Sequence, residues 1–395
     1  MIIVKRKMIN MGNKGIEEKF DKNFVKQMEK KNYELNLNEK STQAFEDIKK
    51  NDEINYIDKK EELKDIHEMK KILQRYNPKL LENFELVNYC DYGGESLVYN
   101  VLVKTRNKEG KNSQKKAIMK AILFHRREND NKRQIYISSK LKNKNVIDFY
   151  VSSKMKDGTF LMFMEDAKYG HLRNFLRKTV KRNTFSEAML CYLAYQILNG
   201  IAYCHKCKIA HLDIKLQNIV INEYLDPKLI DFSISYNYEN KSRNDFIELP
   251  RRGTNFYMPK ELIRGDKIRV KDLNKVDLYS FGVVLYNLAF NCYPRDLTHG
   301  DEENYDTILR KIEKNELSFK NDNNYSPYFL DFLKQLLEVN INKRIDIDAA
   351  LNHYWIKGAQ ILLDEKEKCY NLGNFTSYLI TDHIKNFNDY LKKKY

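Results

Sequence analysis

Between His211 and Asn218 the chain reads His-Leu-Asp-Ile-Lys-Leu-Gln-Asn, and Asp231-Phe232-Ser233 follows after a short apolar stretch. Asp213 therefore has Lys215 two residues on, Asn218 five residues on and a second carboxylate, Asp231, eighteen residues on. Phosphoryl transfer needs these residue types together. A base takes the proton of the attacking hydroxyl, a cation stabilises charge on the transferred group, and Asn and Asp oxygens hold Mg²⁺ against the phosphate oxygens. A His-x-Asp ahead of an apolar Ile-Val-Ile run says little by itself; the joint spacing of four residues points to the chemistry.

Such a group needs elements to position it. The run from Phe84 to Val103 alternates apolar and polar residues on both sides of Gly93-Gly94 and predicts a strand-turn-strand hairpin. Gln134, Ile137 and Leu141 fall at i, i+3 and i+7, on one face of a predicted helix. Thr159 to Ala167 reads as a buried strand running into a linker, with a helix opening at Gly170-His171. From Glu61 to Leu81 the spacing of Leu63, Ile66, Met69, Ile72 and Leu73 predicts a helix packed on the small β-rich part.

The stretch from His211 to Ser233 resembles the catalytic loop and metal-binding motif of the eukaryotic protein kinases, His-Arg-Asp-x-Lys-x-x-Asn and Asp-Phe-Gly. The resemblance implies that Asp213 is the base, Lys215 the phosphate contact, and Asn218 and Asp231 the Mg²⁺ ligands. Set against the family's G-x-G-x-x-G-x-V, with Val98 as the Val, the three Gly positions become Asp91, Gly93 and Ser96. Gly93 holds the middle position, where backbone N–H groups come closest to the phosphates. Ala117-Ile-Met-Lys120 matches Val-Ala-Ile-Lys and makes Lys120 the ligand of the α- and β-phosphates.

Gln134 stands where the family has a Glu that pairs with this Lys. Its carbonyl oxygen can still reach Lys120, so a weakened contact is implied, along with a faster Gln134→Glu variant. Glu128 is a poor substitute, about 240° away around the helix. The linker after Phe163 resembles the hinge, with Glu165 and Ala167 offering main-chain groups to adenine and Met164 lining the back of the pocket.

Gly253-Thr254-Asn-Phe-Tyr-Met-Pro-Lys-Glu261 resembles the close of the activation segment, and Asp277-Leu-Tyr-Ser280-Phe-Gly282 the helix whose buried Asp orders the catalytic loop. Arg344 fits the Arg that pairs with Glu261. The resemblance spans about residues 83 to 357 and implies an α+β, two-lobe protein kinase fold, with a small β-rich lobe at about 83–166 and a larger helical lobe at about 167–357. The implied activity is MgATP-dependent phosphorylation of Ser/Thr in protein substrates, since Lys215 with Thr254 differs from the tyrosine kinase pattern. Two alternatives stay open. Asp91, Ser96, Gln134 and Ser233 depart from the family at positions that touch the nucleotide or its ion pair, as in a pseudokinase scaffold. The basic charge also fits a nucleic-acid-binding protein on a degenerate kinase scaffold.

The chain has 395 residues and a formal net charge of +15. Its Lys, Asn and Tyr are spread throughout, which reads as a solvated surface rather than a basic patch, so nucleic acid is not the expected partner. Lys241, Arg243, Arg251 and Arg252, with His171 on the helix after the hinge, imply substrates that are acidic or neutral around the acceptor. The cysteines at 90, 191, 204, 207, 292 and 369 are scattered, which suits the reducing cytoplasm; Cys204-x-x-Cys207 has no second pair at zinc spacing. No apolar run reaches the length of a membrane span, and Met1-Ile-Ile-Val is too short for a signal peptide. Lys5-Arg6-Lys7 is a weak nuclear-import candidate. Residues 1–82 form a charged extension, expected to be disordered or loosely helical up to about residue 60, and 358–395 a helical tail marked by Leu362, Leu363, Tyr370, Leu379 and Ile380.

Overall fold

The computed structural model describes residues 65–76, 78–92, 96–106, 112–122, 128–155, 158–179, 185–298, 304–319, 325–368 and 385–392. Gly93, residues 1–64, and Tyr370, Leu379 and Ile380 of the tail lie outside these. Contacts divide the chain into two units, one of residues 1–124 with 151–163, the other of residues 125–150 with 164–395.

In the first unit, helix α1 (Ile66–Tyr76) buries Met69 and Leu73, stops ahead of Pro78, and is followed by the single turn α2 (Pro78–Leu81). Strands β1 (Phe84–Tyr92), β2 (Ser96–Arg106) and β3 (Asn112–Ile122) then run antiparallel, and with β4 (Phe149–Lys154) and β5 (Phe160–Glu165) they form a five-stranded sheet in the order β1-β2-β3-β5-β4. The expected hairpin is present, with Phe84 opposite Val103 and irregularities at Leu86/Asn88 and Tyr89/Asp91. Leu97, Tyr99, Val101 and Val103 of β2 are buried on one face, as are Ala117, Met119 and Ala121 of β3. Val98 lies directly opposite Lys120. Opposed residues of an antiparallel pair project to the same side, so these two share the other, half-exposed face.

Helix α3 (Glu128–Lys140) belongs to the second unit and buries Gln134 and Ile137, with Leu141 buried just beyond its end. Strands β4 and β5 cross between the units. The segment after them differs from the expected helix start. Gly170 and His171 form strand β6, paired with Ile221 and Val220, and helix α4 (Leu172–Thr179) begins only at Leu172. Ladder hydrogen bonds to the neighbouring strand, which no helical period reveals, take these two residues.

The second unit is otherwise helical. Helix α5 (Glu187–Lys206) is capped by Ser186, whose side chain accepts from the N–H of Met189, and is nearly enveloped by the core. Short strands β7 (Ile209–Ala210), β8 (Ile219–Ile221), β9 (Pro227–Leu229), β10 (Tyr236–Asn237), β11 (Phe246–Glu248) and β12 (Lys267–Arg269) frame the loops that follow, and the single-turn-length helix α6 (Lys260–Arg264) precedes β12. Helix α7 (Leu273–Phe290) is buried all round, as expected of a helix at the centre of a core. Its Gly282 permits close packing, since a Cβ there would meet the Leu336 Cβ at 2.9 Å. Helices α8 (Tyr305–Glu313), α9 (Pro327–Leu336), α10 (Ile347–Asn352), α11 (Tyr354–Lys357), α12 (Ala359–Lys368) and α13 (Lys385–Lys392) complete it. Among the described residues no helix is long and apolar enough to cross a membrane.

Candidate active site

The loop from His211 to Asn218 owes its shape to a buried acid. Asp277, on the first half of α7 and fully buried, accepts the N–H of His211 with Oδ2 and that of Leu212 with Oδ1, both at 2.8 Å. His205 Nε2, near the end of α5, meets Oδ2 at 2.7 Å. Burial pushes the Asp277 carboxyl up, but the His205 hydrogen bond and charge, with His211 beside it, outweigh that and hold it below the usual carboxylate range. Leu212 is held at a φ of 66°, an unfavourable conformation for a side chain of this kind, and is buried. A Cβ on Gly253 would lie 3.2 Å from the Leu212 carbonyl oxygen, and Gly253 itself has a φ of 139°.

His211 is buried and locked at both ring nitrogens. Nδ1 lies 3.2 Å from the N–H of Asp213, which can only donate, so Nδ1 accepts and Nε2 carries the hydrogen that reaches the Ile230 carbonyl at 3.0 Å. The ring also packs on Phe232, with centroids 4.9 Å apart. One imidazole thus ties the loop bearing Asp213 to the segment bearing Asp231.

Asp213 stands at the centre of a closed set of polar contacts. Its Oδ1 accepts from the Thr254 hydroxyl at 2.8 Å, and its Oδ2 lies 2.8 Å from both Lys215 Nζ and Asn218 Nδ2. Lys215 Nζ also donates to Thr254 Oγ1 at 2.8 Å, closing the ring. Asn218 Nδ2 gives a further hydrogen bond to the Asp213 carbonyl, so both amide hydrogens are used and Oδ1 is left as the acceptor of that side chain. Asn218 and Asp231 thus present oxygen donors, the set that Mg²⁺ takes when one or two protein groups share it with phosphates and water.

Asp231 sits at a φ of 65°, a conformation that Asp tolerates better than most residues. Its Oδ1 accepts from Gln134 Nε2 at 3.3 Å. Glu128, at the start of α3, pairs with Lys132 at 2.9 Å in the next turn. Neighbouring residues fasten α3 to the segment after Asp231. Arg133 donates to the Ser233 carbonyl at 3.2 Å, Asp130 pairs with both Arg133 and Arg252 at 2.9 Å, and Lys140 meets Glu239 at 2.6 Å.

At the end of β5 the Glu165 side chain is used structurally: Oε2 lies 2.8 Å from Lys228 and accepts the N–H of Asp148 at 3.3 Å. Burial raises its carboxyl despite the lysine. The Ala167 carbonyl accepts from Gly170 at 2.8 Å, and Met164 and Ala167 are half-buried. Val98 and Lys120 lie side by side in the other unit. Further away, Arg344 and Glu261 form the expected buried pair, with nitrogen–oxygen distances of 2.6 and 3.3 Å.

Sequence reasoning missed several of these contacts. Thr254 appeared in it as part of a motif, not as the hydroxyl that joins Asp213 to Lys215; the Gly-Thr pair was the available signal. The Gln134 to Asp231 bond and the anchoring of Arg252 had none. Arg251 donates to the Arg264 carbonyl at 2.7 Å and Arg252 pairs with Asp130, while Lys241 and Arg243 are exposed. Half of the basic cluster expected to meet substrate is therefore engaged within the fold.

A model of the protein kinase domain family matches residues 93–356. The chain is 32% identical over 184 residues to Calcium-dependent protein kinase 5 of Plasmodium falciparum (isolate 3D7), covering 46% of this chain and 30% of that protein. It is 32% identical over 209 residues to Calcium-dependent protein kinase 4 of the same organism, covering 49% of the chain and 37% of that protein. Over 225 residues it is 28% identical to an Aurora kinase of Schizosaccharomyces pombe (strain 972 / ATCC 24843), covering 57% of the chain and 58% of that kinase. The aligned part of the chain thus spans less than two thirds of each of these relatives. With a five-stranded sheet, a helical second unit and a family match over residues 93–356, the chain belongs to the protein kinase domain family.

Proposed function

We propose that this protein transfers the γ-phosphate of MgATP to Ser/Thr hydroxyls of protein substrates. The observation that carries the reading is the Asp213 carboxylate, 11% exposed and held by Thr254, Lys215 and Asn218. A hydroxyl arriving at this carboxylate gives up its proton to it, and the neighbouring Lys215 supplies positive charge where the transferred group develops negative charge. Asn218 Oδ1 and the Asp231 carboxylate would hold Mg²⁺. When bound, the ion neutralises charge on the phosphate oxygens. Ser/Thr as acceptor is supported by Lys215 with Thr254, and the exposed Lys241 and Arg243 favour acidic or neutral surroundings of the acceptor.

Gly93, Val98 and Lys120 are assigned to the nucleotide phosphates and adenine on the motif match alone, as are Met164 and the main-chain groups of Glu165 and Ala167. Residues 83–357 are proposed as the kinase domain, between a charged N-terminal extension and a C-terminal tail. The departures at Asp91, Ser96, Gln134 and Ser233 support a second reading, a pseudokinase that binds nucleotide or partners without turnover.

The deciding experiment is γ-phosphate transfer by the purified chain with and without Mg²⁺, run beside Asp213→Asn. Mg²⁺-dependent transfer that collapses in the variant is expected. Transfer at equal rates in both would remove Asp213 as the base, and no transfer with intact nucleotide binding would favour the pseudokinase.

A further inference from the structure

Gln134 occupies the family's Glu position, yet it does something a Glu cannot. Its side chain is 3% exposed and Nε2 donates to Asp231 Oδ1 at 3.3 Å. An ionised carboxylate only accepts, so Glu at this place would have nothing to give Asp231. The contact is supported by its surroundings. One residue before it, Arg133 donates to the Ser233 carbonyl at 3.2 Å, and one turn before it Asp130 joins Arg133 to Arg252. Three points of α3 therefore face the segment that begins at Asp231, whose backbone stands at a φ of 65°.

We propose that Gln134 is a positioning residue of the metal site: its amide fixes the rotation of the Asp231 carboxylate that would ligate Mg²⁺. The proposal rests on the assignment of Asp231 as an Mg²⁺ ligand. Hydrogen bonds behind a metal ligand typically govern metal affinity by roughly 10–100-fold. A Glu at position 134 replaces the donor with a second buried carboxylate facing the first, and like charges brought together away from water repel. This reverses the expectation drawn from the motif, in which Gln134→Glu is a repair.

The test is nucleotide binding to the full chain by calorimetry, with and without Mg²⁺, for wild type, Gln134→Met and Gln134→Glu. Met keeps the length of the side chain and lacks the donor. The expected result is that the gain in nucleotide affinity brought by Mg²⁺ falls roughly 10–100-fold in Gln134→Met and at least as far in Gln134→Glu, while metal-free binding is unchanged. In an Asp231→Asn background, Gln134→Met should cost no further Mg²⁺-dependent affinity, a result that a merely structural loss would not produce. Equal or tighter Mg²⁺-dependent binding in Gln134→Glu overturns the proposal, as does a loss that is the same without the metal. A wild type that gains nothing from Mg²⁺ overturns the metal assignment of Asp231 and the proposal with it, whereas a wild-type gain that the variants retain sinks the proposal alone.

Discussion

Asp213 is held through both carboxylate oxygens and its carbonyl, so its variants separate chemistry from folding. Asp213→Asn keeps the size of the side chain and removes the proposed base. Turnover should fall by roughly 10²–10⁴-fold, with nucleotide binding and melting temperature preserved. Thr254→Val removes the hydroxyl that donates to Asp213 and accepts from Lys215 while keeping the shape. A charge-assisted hydrogen bond is worth about 1.5–3 kcal/mol, so kcat should fall about tenfold or more, with KM for ATP unmoved. Steady-state kinetics with a fixed peptide checks both, and a Thr254→Val enzyme of unchanged kcat would show that the ring around Asp213 is dispensable. The types and spacing of Asp213, Lys215, Asn218 and Asp231 were legible in the chain because a short loop brings them together. The contacts of Thr254 and Gln134 were not, being made across 41 and 97 residues of sequence.

At the scale of elements, the junction of α5, α7 and the loop from His211 to Asn218 is held by Asp277. Asp277→Ala would strand the N–H groups of His211 and Leu212, at about 1–3 kcal/mol for each buried donor left unmade. The pH dependence has a definite sign. The folded state holds this carboxyl below its ordinary value, so its contribution is complete above the usual Asp range and is lost as pH falls through the lowered folded value. The melting temperature of wild type should therefore drop more steeply than that of Asp277→Asn below about pH 4, as followed by circular dichroism. Parallel curves would remove Asp277 from the acid-sensitive groups. The activation segment behaves as another unit. Leu212 stands where the family's motif carries an Arg and cannot gather a phosphate, while Arg252–Asp130 and Lys140–Glu239 tie the segment to α3 with side chains already charged. The Ser235 hydroxyl donates to the His211 carbonyl and that of Tyr238 to the His205 carbonyl, both buried. Phosphatase treatment should leave the rate of transfer unchanged; a large loss would show that the segment needs a phosphate after all.

Across the whole molecule, the described parts of the tail, residues 358–368 and 385–392, add to the second unit's core. Leu362 and Phe387 are fully buried, and the rings of Tyr354 and Tyr390 stack at 4.7 Å while each hydroxyl donates to the other's carbonyl. Lys366 adds contacts of 2.6 Å to the Tyr192 hydroxyl and 2.8 Å to Asp226. Phe387→Ala should lower stability by about 3–5 kcal/mol in denaturant unfolding, and a cost near zero would mark the tail as a detachable segment. Apolar periodicity marked Leu362 as a helix residue of the tail, but periodicity says which face is apolar and not what covers it. The same division runs through the protein. Local order along the chain determined the motifs, the β1–β2 hairpin, the helical faces of Gln134 and Ile137 and the family itself, because these depend on spacing within a few residues. Tertiary packing decided that His171 is a strand residue, that Arg251 and Arg252 are bonded to other parts of the chain, and that Gln134 bonds to Asp231. Those outcomes depend on which distant donors and acceptors the fold brings side by side, whatever their distance in sequence.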